Sequence, residues 1–260
     1  MLTTTMVRYE LANGVAQITL ADAERGNALN APLLRALVQA LRSATMDPHC
    51  RVILLKAEGP DFCQGLDLGQ IDVRPDLALG RVFLECLTLI ADAPCPVVAC
   101  VAGKVTGGGL GLVAACDLVL ADRAAVFMLS EVIVGMIPAL IAPFLLGRLP
   151  VARVRYLALS SRGIPAAEAQ IFGLVDEVAP DLAEAVHRQV QRLLSSSPEA
   201  MATSKRYLTR LTGTREEQTD LAMAELQHWL SAPARVEAIQ NFAQGLTPPW
   251  FQKYRKQRHD

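Results

Sequence analysis

The sequence predicts an α/β fold that is followed by a helical C-terminal region. Two β-branched runs, at 51–57 and 96–102, each follow helix-like sequence and precede a glycine-bearing loop, which is typical of buried parallel strands. From Leu182 onward the apolar residues recur at helical spacing. With 260 residues and 52% hydrophobic composition, the chain can bury a sizeable core. We therefore expect a core domain over 1–197 and a helical region over 198–260.

The N-terminal elements are predicted from turn and periodicity signals. Val7–Leu11 and Val15–Leu20 flank Asn13-Gly14, a dipeptide that favours a tight type I′ hairpin. A helix is expected over Ala31–Thr45, because its leucines recur at helical spacing and proline is accepted in the first turn.

The later part of the chain is predicted to contain three short strands, which are followed by helices. Two short strands are predicted at Asp117–Ala121 and Ala125–Met128, and the last strand is expected near Gly173–Val178. The predicted C-terminal helices are Leu182–Leu194, Pro198–Leu211, Arg215–Leu230 and Pro233–Phe242. Their apolar stripes need another surface, so this region either completes a core or packs on another subunit.

Composition excludes several classes of function. The chain has 25 basic and 26 acidic residues, so its formal net charge is only -1. Such a charge gives no strong electrostatic attraction to nucleic acid or to an anionic membrane. The six cysteines show no metal-ligand spacing, so we expect reduced core thiols and no metal site. The N-terminus does not resemble a signal peptide, and prolines interrupt the longest uncharged run. We expect a cytoplasmic protein that is not inserted in a membrane.

Two loops at predicted strand ends are the candidate site. One contains Gln64-Gly65-Leu66 and the other is Gly107-Gly108-Gly109. Glycine lets a backbone N–H approach a ligand closely, and in parallel sheets such loops gather at the carboxyl edge. Two loops can thus aim amides at one oxygen, although a Gly-Gly-Gly turn by itself fits a flexible turn or a tight helix contact equally well. Neither loop matches a phosphate-binding pattern.

Four segments together resemble the enoyl-CoA hydratase/isomerase, or crotonase, superfamily. They are FCQGLDL, GKVTGGGLGLVAACDLVLAD, FMLSEVIVGMIP and GLVDEV, and the resemblance extends from Val7 to about Pro198. It implies a ClpP/crotonase-like spiral of β-β-α units with a C-terminal helical region used in trimerisation. It also implies thioesters of CoA or of a carrier protein as substrates, and no other cofactor.

The resemblance assigns roles to individual residues. The backbone amides of Leu66 and Gly108 would stabilise the oxyanion of the thioester. Glu131 matches one of the two glutamates of hydratases, and its apolar neighbours favour a desolvated, acid/base-active carboxyl group. Gly111 stands where hydratases have the other glutamate, which disfavours simple hydration of an enoyl-CoA.

A further resemblance narrows the reaction. GMIPALIAPFLLGRL and the ending NFAQGLTPPW are similar to the dehydratases of polyketide β-branching cassettes, which also have glycine at the first glutamate position. Those enzymes convert 3-hydroxy-3-methylglutaryl to 3-methylglutaconyl on an acyl carrier protein. The resemblance therefore implies an acyl carrier protein as partner, within a homotrimer or a dimer of trimers.

Substrate contacts are predicted at three more positions. Lys104 is the candidate partner of the distal carboxylate, and Gln64 and Gly111 are candidates for contact with the acyl group. Gly59-Pro60-Asp61 stands where many hydratases have a lysine for the CoA phosphates, which suits a carrier-bound phosphopantetheine. Lys205, Arg206 and the basic tail (Lys253, Arg255, Lys256 and Arg258) are alternative contacts to CoA or to an acidic carrier.

Three other functions are consistent with parts of this sequence. A single glutamate also suits an enoyl isomerase, and a decarboxylase acts in the same cassettes. A non-catalytic scaffold is the alternative from another class, but near-neutral charge and the absence of an aromatic-basic cluster disfavour it.

Overall fold

Two sheets of unequal size organise the chain. The computed structural model describes residues 6–67, 77–211, 215–247 and 250. The strands, in chain order, are β1 (Val7–Ala12), β2 (Val15–Leu20), β3 (Val52–Ala57), β4 (Val97–Val101), β5 (Lys104–Thr106), β6 (Leu118–Asp122), β7 (Val126–Met128), β8 (Ile164–Pro165) and β9 (Glu177–Ala179). The larger sheet has the order β1-β2-β3-β4-β6-β9, and the smaller one has the order β5-β7-β8.

Helices cover the sheets and form most of the C-terminal quarter. They are α1 (Ala31–Met46), α2 (Leu77–Ala91), α3 (Gly108–Ala115), α4 (Ala142–Leu146), α5 (Val151–Ser160), α6 (Ala166–Phe172), α7 (Leu182–Leu194), α8 (Pro198–Leu211), α9 (Arg215–Leu230) and α10 (Pro233–Ala243). None of the helices in the described ranges is both long enough and apolar enough to cross a membrane.

The predicted hairpin and first helix are confirmed. β1 and β2 pair antiparallel, and Asn13 and Gly14 have φ of 52° and 79°, the positive values that a type I′ turn requires. α1 begins after Asn30, whose side-chain oxygen accepts a hydrogen bond of 2.9 Å from the Leu33 amide.

The larger sheet separates two layers of apolar side chains. From β2 to β9 every neighbouring pair is parallel. On β3, Ile53 and Leu55 belong to the main core with α1 and α2, whereas Val52 and Leu54 belong to a smaller core that Ala185 of α7 covers. This alternation follows from the two-residue period of a strand and accounts for the continuous apolar runs in the sequence.

Some boundaries differ from the sequence-based prediction. The last strand begins at Glu177 rather than near Gly173, because Gly173 has φ of 95° and ends α6. Strands β5 and β8 were not predicted, since three- and two-residue strands show no periodicity. Five of the six cysteines are buried and Cys50 is half-buried, all as free thiols.

A single lysine connects α8 to the core. α8 has no buried residue among its fourteen, but the Lys205 side chain is only 16% exposed. Its Nζ donates hydrogen bonds to Asp117 Oδ2 (2.6 Å) and to the Cys95 carbonyl (3.1 Å). Burial raises the pKa of Asp117, and the charge of Lys205 offsets part of that rise. The ammonium group of Lys205 is thus engaged with Asp117, so the structure does not support Lys205 as a contact of CoA phosphates.

Replacing this lysine tests its structural role. Lys205→Met should lower the free energy of unfolding by about 1–3 kcal/mol, because a partly buried carboxylate loses its charged partner. Urea unfolding followed by circular dichroism measures the change. The matched control is Arg206→Met at the next, exposed position, which should change stability by less than about 0.5 kcal/mol. Equal stabilities of the two variants would contradict this role for Lys205.

Candidate active site

The short strand β5 brings three chain segments to one edge. β5 pairs in parallel with β7, with Thr106 opposite Met128, so the segments after these two residues leave the sheet side by side. On its other side Val105 forms a parallel bridge with Cys63, and the Thr106 amide donates to the Cys63 carbonyl (2.9 Å). The loops that follow Cys63, Thr106 and Met128 therefore meet at the carboxyl ends of their strands.

Leu66 and Gly108 present backbone amides at this edge. Gly108 is the first residue of α3, where an N–H has no intrahelical acceptor, and Leu66 follows Gly65, whose φ is 82°. Neither amide donates to an acceptor within the described residues. A Cβ on Gly65 would lie 3.4 Å from the Gly108 nitrogen and 2.8 Å from the Thr106 carbonyl oxygen, which shows how closely the two loops approach.

Leu66 and Gly108 both line one cavity of about 600 Å³, which Glu131 and Ser130 also line. Polar residues lie near the two loops, whereas most of the remaining wall is apolar. That wall includes Leu79 and Phe83 of α2, Val134, Ile137, Leu140 and Ile141 of the segment after Glu131, and Leu226, Leu230, Val236 and Ile239 of α9 and α10. A thioester in this cavity would have its carbonyl near the amides and an apolar surface around its acyl chain.

Glu131 lies in a 3₁₀ turn that directly follows β7. The turn spans Glu131–Val134 and ends at Gly135 with φ of 76°. A Cβ on Gly107 would lie only 3.3 Å from Glu131 Oε1, so the carboxyl group is adjacent to the Gly107-Gly108 loop. Its other oxygen, Oε2, is buried and has no hydrogen-bond partner. Glu131 thus lines the same cavity as Leu66 and Gly108.

Burial raises the pKa of Glu131 from 4.5 to about 7, although the backbone amides of Glu131 and Ser130 lower it in part. A carboxyl group with this pKa is present in both protonation states at neutral pH. It can therefore accept and return a proton with little loss in either step.

The C-terminal helices hold the turn that bears Glu131. The Trp229 Nε1 of α9 donates a hydrogen bond of 2.9 Å to the Gly135 carbonyl. Arg235 of α10 stacks on the Trp229 ring at 4.0 Å and donates to the Trp229 carbonyl (3.0 Å). The sequence predicted these helices, but it did not predict that four of their residues line the cavity. Helical periodicity identifies an apolar face and not the surface that this face meets. The four residues are Leu226, Leu230, Val236 and Ile239.

Gly111 is buried beneath the cavity wall. It lies in α3, and a Cβ there would be 2.3 Å from Ile141 Cγ2 and 3.0 Å from Ile141 Cβ. Ile141 is only 3% exposed and lines the cavity, whereas Gly111 does not. The space where a side chain at 111 would reach the cavity is thus filled by Ile141, so the structure does not support Gly111 as a contact of the acyl group.

The other predicted contacts have different outcomes. Gln64 lines the cavity, and its Nε2 donates to Asp61 Oδ2 (2.8 Å). Lys104 is exposed at the start of β5 and does not line the cavity, so the structure does not support it as a partner of the acyl group. The tail residues Lys253, Arg255, Lys256 and Arg258 lie outside the described residues. No cluster of three or more potential metal ligands occurs in the part of the chain that the structure describes.

Comparison with protein families identifies one match over most of the chain. The sequence model described as enoyl-CoA hydratase/isomerase matches residues 10–253. The enoyl-CoA hydratase AKT6-1 of Alternaria alternata is 32% identical over 226 residues, which cover 85% of this chain and 74% of that protein. The bacillaene synthase dehydratase PksH of Bacillus subtilis is 26% identical over 252 residues, which cover 95% of this chain and 96% of that protein.

Solved structures show the same fold. An enoyl-CoA hydratase from Mycobacterium avium has a TM-score of 0.81 at 31% identity, with 95% of this chain and 99% of that chain covered. The polyketide biosynthesis enoyl-CoA hydratase pksH of Bacillus subtilis has a TM-score of 0.81 at 25% identity, with 95% of this chain and all of that chain covered. The crotonase-like α/β fold predicted from sequence is therefore confirmed.

Gly111→Ala tests the contact with Ile141. The added methyl group should lower the free energy of unfolding by about 1–3 kcal/mol, because overpacking outweighs the better helix propensity of alanine. Gly147→Ala is the matched control, since a Cβ there meets its nearest neighbours at an ordinary 3.5 Å. In the double variant with Ile141→Ala the combined loss should be smaller than the sum of the single losses. Strict additivity in urea unfolding would argue against the contact.

The raised pKa of Glu131 predicts a pH-dependent stability. Below about pH 4.5 the group is protonated in both states and contributes nothing. As pH rises to about 7, only the unfolded state ionises, so the free energy of unfolding falls by up to about 3 kcal/mol relative to that of Glu131→Gln.

Urea unfolding at several pH values between 4.5 and 8 measures this difference between the wild type and Glu131→Gln. The exposed Glu237→Gln on α10 is the control and should parallel the wild type. A constant difference between wild type and Glu131→Gln would exclude a desolvated carboxyl group.

Proposed function

The chain belongs to the enoyl-CoA hydratase/isomerase family and is a hydro-lyase of that family, and from this premise we propose that it removes water from a carrier-protein-bound 3-hydroxy-3-methylglutaryl thioester. The product is the 3-methylglutaconyl thioester. The observation that carries the proposal is that Glu131, whose Oε2 is buried and unpartnered, lines the same cavity as Leu66 and Gly108, whose amides have no acceptor among the described residues.

Glu131 performs both proton transfers in this scheme. Its carboxylate removes a proton from C2, and the electron pair of the C–H bond moves toward the thioester carbonyl. The resulting enolate oxygen accepts hydrogen bonds from the amides of Leu66 and Gly108, each of which contributes about two to three powers of ten in rate at sites of this kind. The enolate then re-forms the carbonyl as the C2–C3 double bond forms and the C3–O bond breaks. The departing hydroxyl takes the proton from Glu131 and leaves as water, so the carboxylate is regenerated.

Glu131 is the one glutamate in the described lining of the cavity, and Ile141 fills the space through which a side chain at 111 would act. This arrangement departs from the two-glutamate pattern of hydratases, and in dehydration Glu131 can both remove the proton from C2 and return it to the departing hydroxyl. The likeness to the bacillaene synthase dehydratase over 95% of the chain supports the same reaction class.

The proposed partners follow the same reasoning. Gly59-Pro60-Asp61 offers no cation before the Gln64-Leu66 loop, which favours a phosphopantetheine on an acyl carrier protein over CoA. We also propose a homotrimer, alone or paired into a hexamer. α8 supports it, because Tyr207, Leu208 and Leu211 are each more than half exposed on a helix without buried residues.

The test uses the acyl carrier protein loaded with 3-hydroxy-3-methylglutaryl phosphopantetheine. After incubation with the enzyme, intact-protein mass spectrometry should show the loss of one water mass from the carrier. Glu131→Gln should slow this loss at least about a hundredfold, the usual contribution of a general acid/base, while Glu237→Gln retains the wild-type rate.

Other mass changes identify the alternatives. Loss of carbon dioxide from the 3-methylglutaconyl carrier would indicate a decarboxylase. An unchanged mass with a shifted double bond in an enoyl carrier would indicate an isomerase. Absence of any turnover, with Glu131→Gln equal to wild type in carrier binding, would favour a non-catalytic scaffold and overturn the proposal.

A further inference from the structure

The described part of the cavity lining contains no lysine, arginine or histidine. The proposed substrate nevertheless carries a carboxylate at the end of its acyl chain, and a buried anion needs hydrogen-bond donors or positive charge nearby. The side chains of the described lining that can donate, apart from the carboxyl groups, are those of Asn30, Gln64 and Ser130. The carboxylate can bind where one of these donor groups has no hydrogen-bond acceptor within the protein.

The N-terminus of α1 opens into this cavity. Asn30 and Ala31 both line it, and α1 has sixteen residues, enough to place partial positive charge at its start. Its first amides can be accounted for individually. The Leu33 amide donates to Asn30 Oδ1 and the Leu34 amide to the Asn30 carbonyl (both 2.9 Å). Residue 32 is proline and has no N–H, so the Ala31 amide is the unclaimed donor of this turn within the described residues.

Asn30 adds a second donor at the same place. The residue is only 2% exposed, yet it lines the cavity. Because Oδ1 accepts the hydrogen bond from the Leu33 amide, the orientation of the side-chain amide is fixed, and Nδ2 is the donor half. Nδ2 has no acceptor among the described residues, so it is available to a ligand in the cavity.

The position of this turn suits a short acyl chain. Asn30 follows Leu29, whose amide donates to the Gly65 carbonyl (2.7 Å) and whose carbonyl accepts from the Asp67 amide (3.1 Å). The start of α1 is therefore adjacent to Leu66, one of the two amides at the reaction centre. The distal carboxylate of a five-carbon acyl group lies only a few bonds from the thioester carbonyl, so one substrate can reach both positions.

The other candidates are less suitable. Gln64 is exposed, and its Nε2 already donates to Asp61. Ser130 precedes Glu131, and its Oγ lies 3.8 Å from the point where a Cβ of Gly107 would be, beside the acid/base group. Asp67 also lines the cavity, but its carboxylate repels an anion and it has an interaction of its own.

We propose that Asn30 Nδ2 and the Ala31 amide, at the N-terminus of α1, form the subsite that binds the distal carboxylate of the substrate. Asn30 then selects acyl groups that end in a carboxylate, while Leu66, Gly108 and Glu131 act on the thioester end. This assignment rests on the proposed function for the identity of the substrate, but its test does not depend on turnover.

The test measures binding in a Glu131→Gln background, where substrate is not consumed. Calorimetry gives the Kd for 3-hydroxy-3-methylglutaryl-pantetheine and for the uncharged 3-hydroxy-3-methylbutyryl-pantetheine. Adding Asn30→Ser replaces the Nδ2 donor with a single hydroxyl on a shorter side chain and should weaken the charged ligand about tenfold, while the uncharged ligand changes less than about twofold. Adding Asn30→Asp places a carboxylate there and should weaken the charged ligand about a hundredfold. Serine and aspartate are both good N-cap residues, so α1 should keep its stability, and thermal unfolding checks this.

Two results would overturn the subsite. Equal weakening of both ligands would mean that Asn30 supports the loops around Leu66 and not the carboxylate. Unchanged affinities would mean that the carboxylate binds elsewhere. Failure of the proposed function appears separately, as a wild-type enzyme that binds the charged ligand through Asn30 but removes no water from the loaded carrier.

Discussion

The parallel pairing of β5 is the constraint on which the candidate site depends. This three-residue strand lies between the Cys63 bridge and β7, so three segments that are far apart in sequence leave the sheet at one edge. Backbone pairing brings the loops of Leu66 and Gly108 to this edge, and the side chain of Trp229 adds a hydrogen bond to the turn that bears Glu131.

Exclusion of water affects both the hydrogen bonding of the two amides and the pKa of Glu131. The two amides are effective donors only where water does not compete for the oxyanion, and Glu131 reaches a pKa near 7 only because it is desolvated. Both conditions come from the same apolar walls, which α2, α9 and α10 supply. Binding of the acyl chain and activation of the carboxyl group thus have a common cause, and a change that admits water would weaken both.

The sequence predicted the fold and the polar groups of the site better than their surroundings. The hairpin, the buried strands and four C-terminal helices have strong local signals, and Glu131 and the glycine loops follow from motifs. β5 and β8 are too short for a periodic pattern. The contact between Gly111 and Ile141 joins residues thirty positions apart and leaves no local trace, as does the approach of α9 and α10 to the cavity. Lys104 is exposed outside the described cavity lining, because nearness to a loop in sequence does not fix the direction of a side chain on a strand.

The hydrogen bond from Trp229 to the Gly135 carbonyl has a consequence for the order in which the enzyme becomes competent during synthesis. A nascent chain that ends at α7 contains every strand of the larger sheet and both amide loops. The residues of α9 and α10 that complete the cavity wall, and Trp229 itself, are synthesised after them, so the enclosure of the site depends on the part of the described chain that is made last.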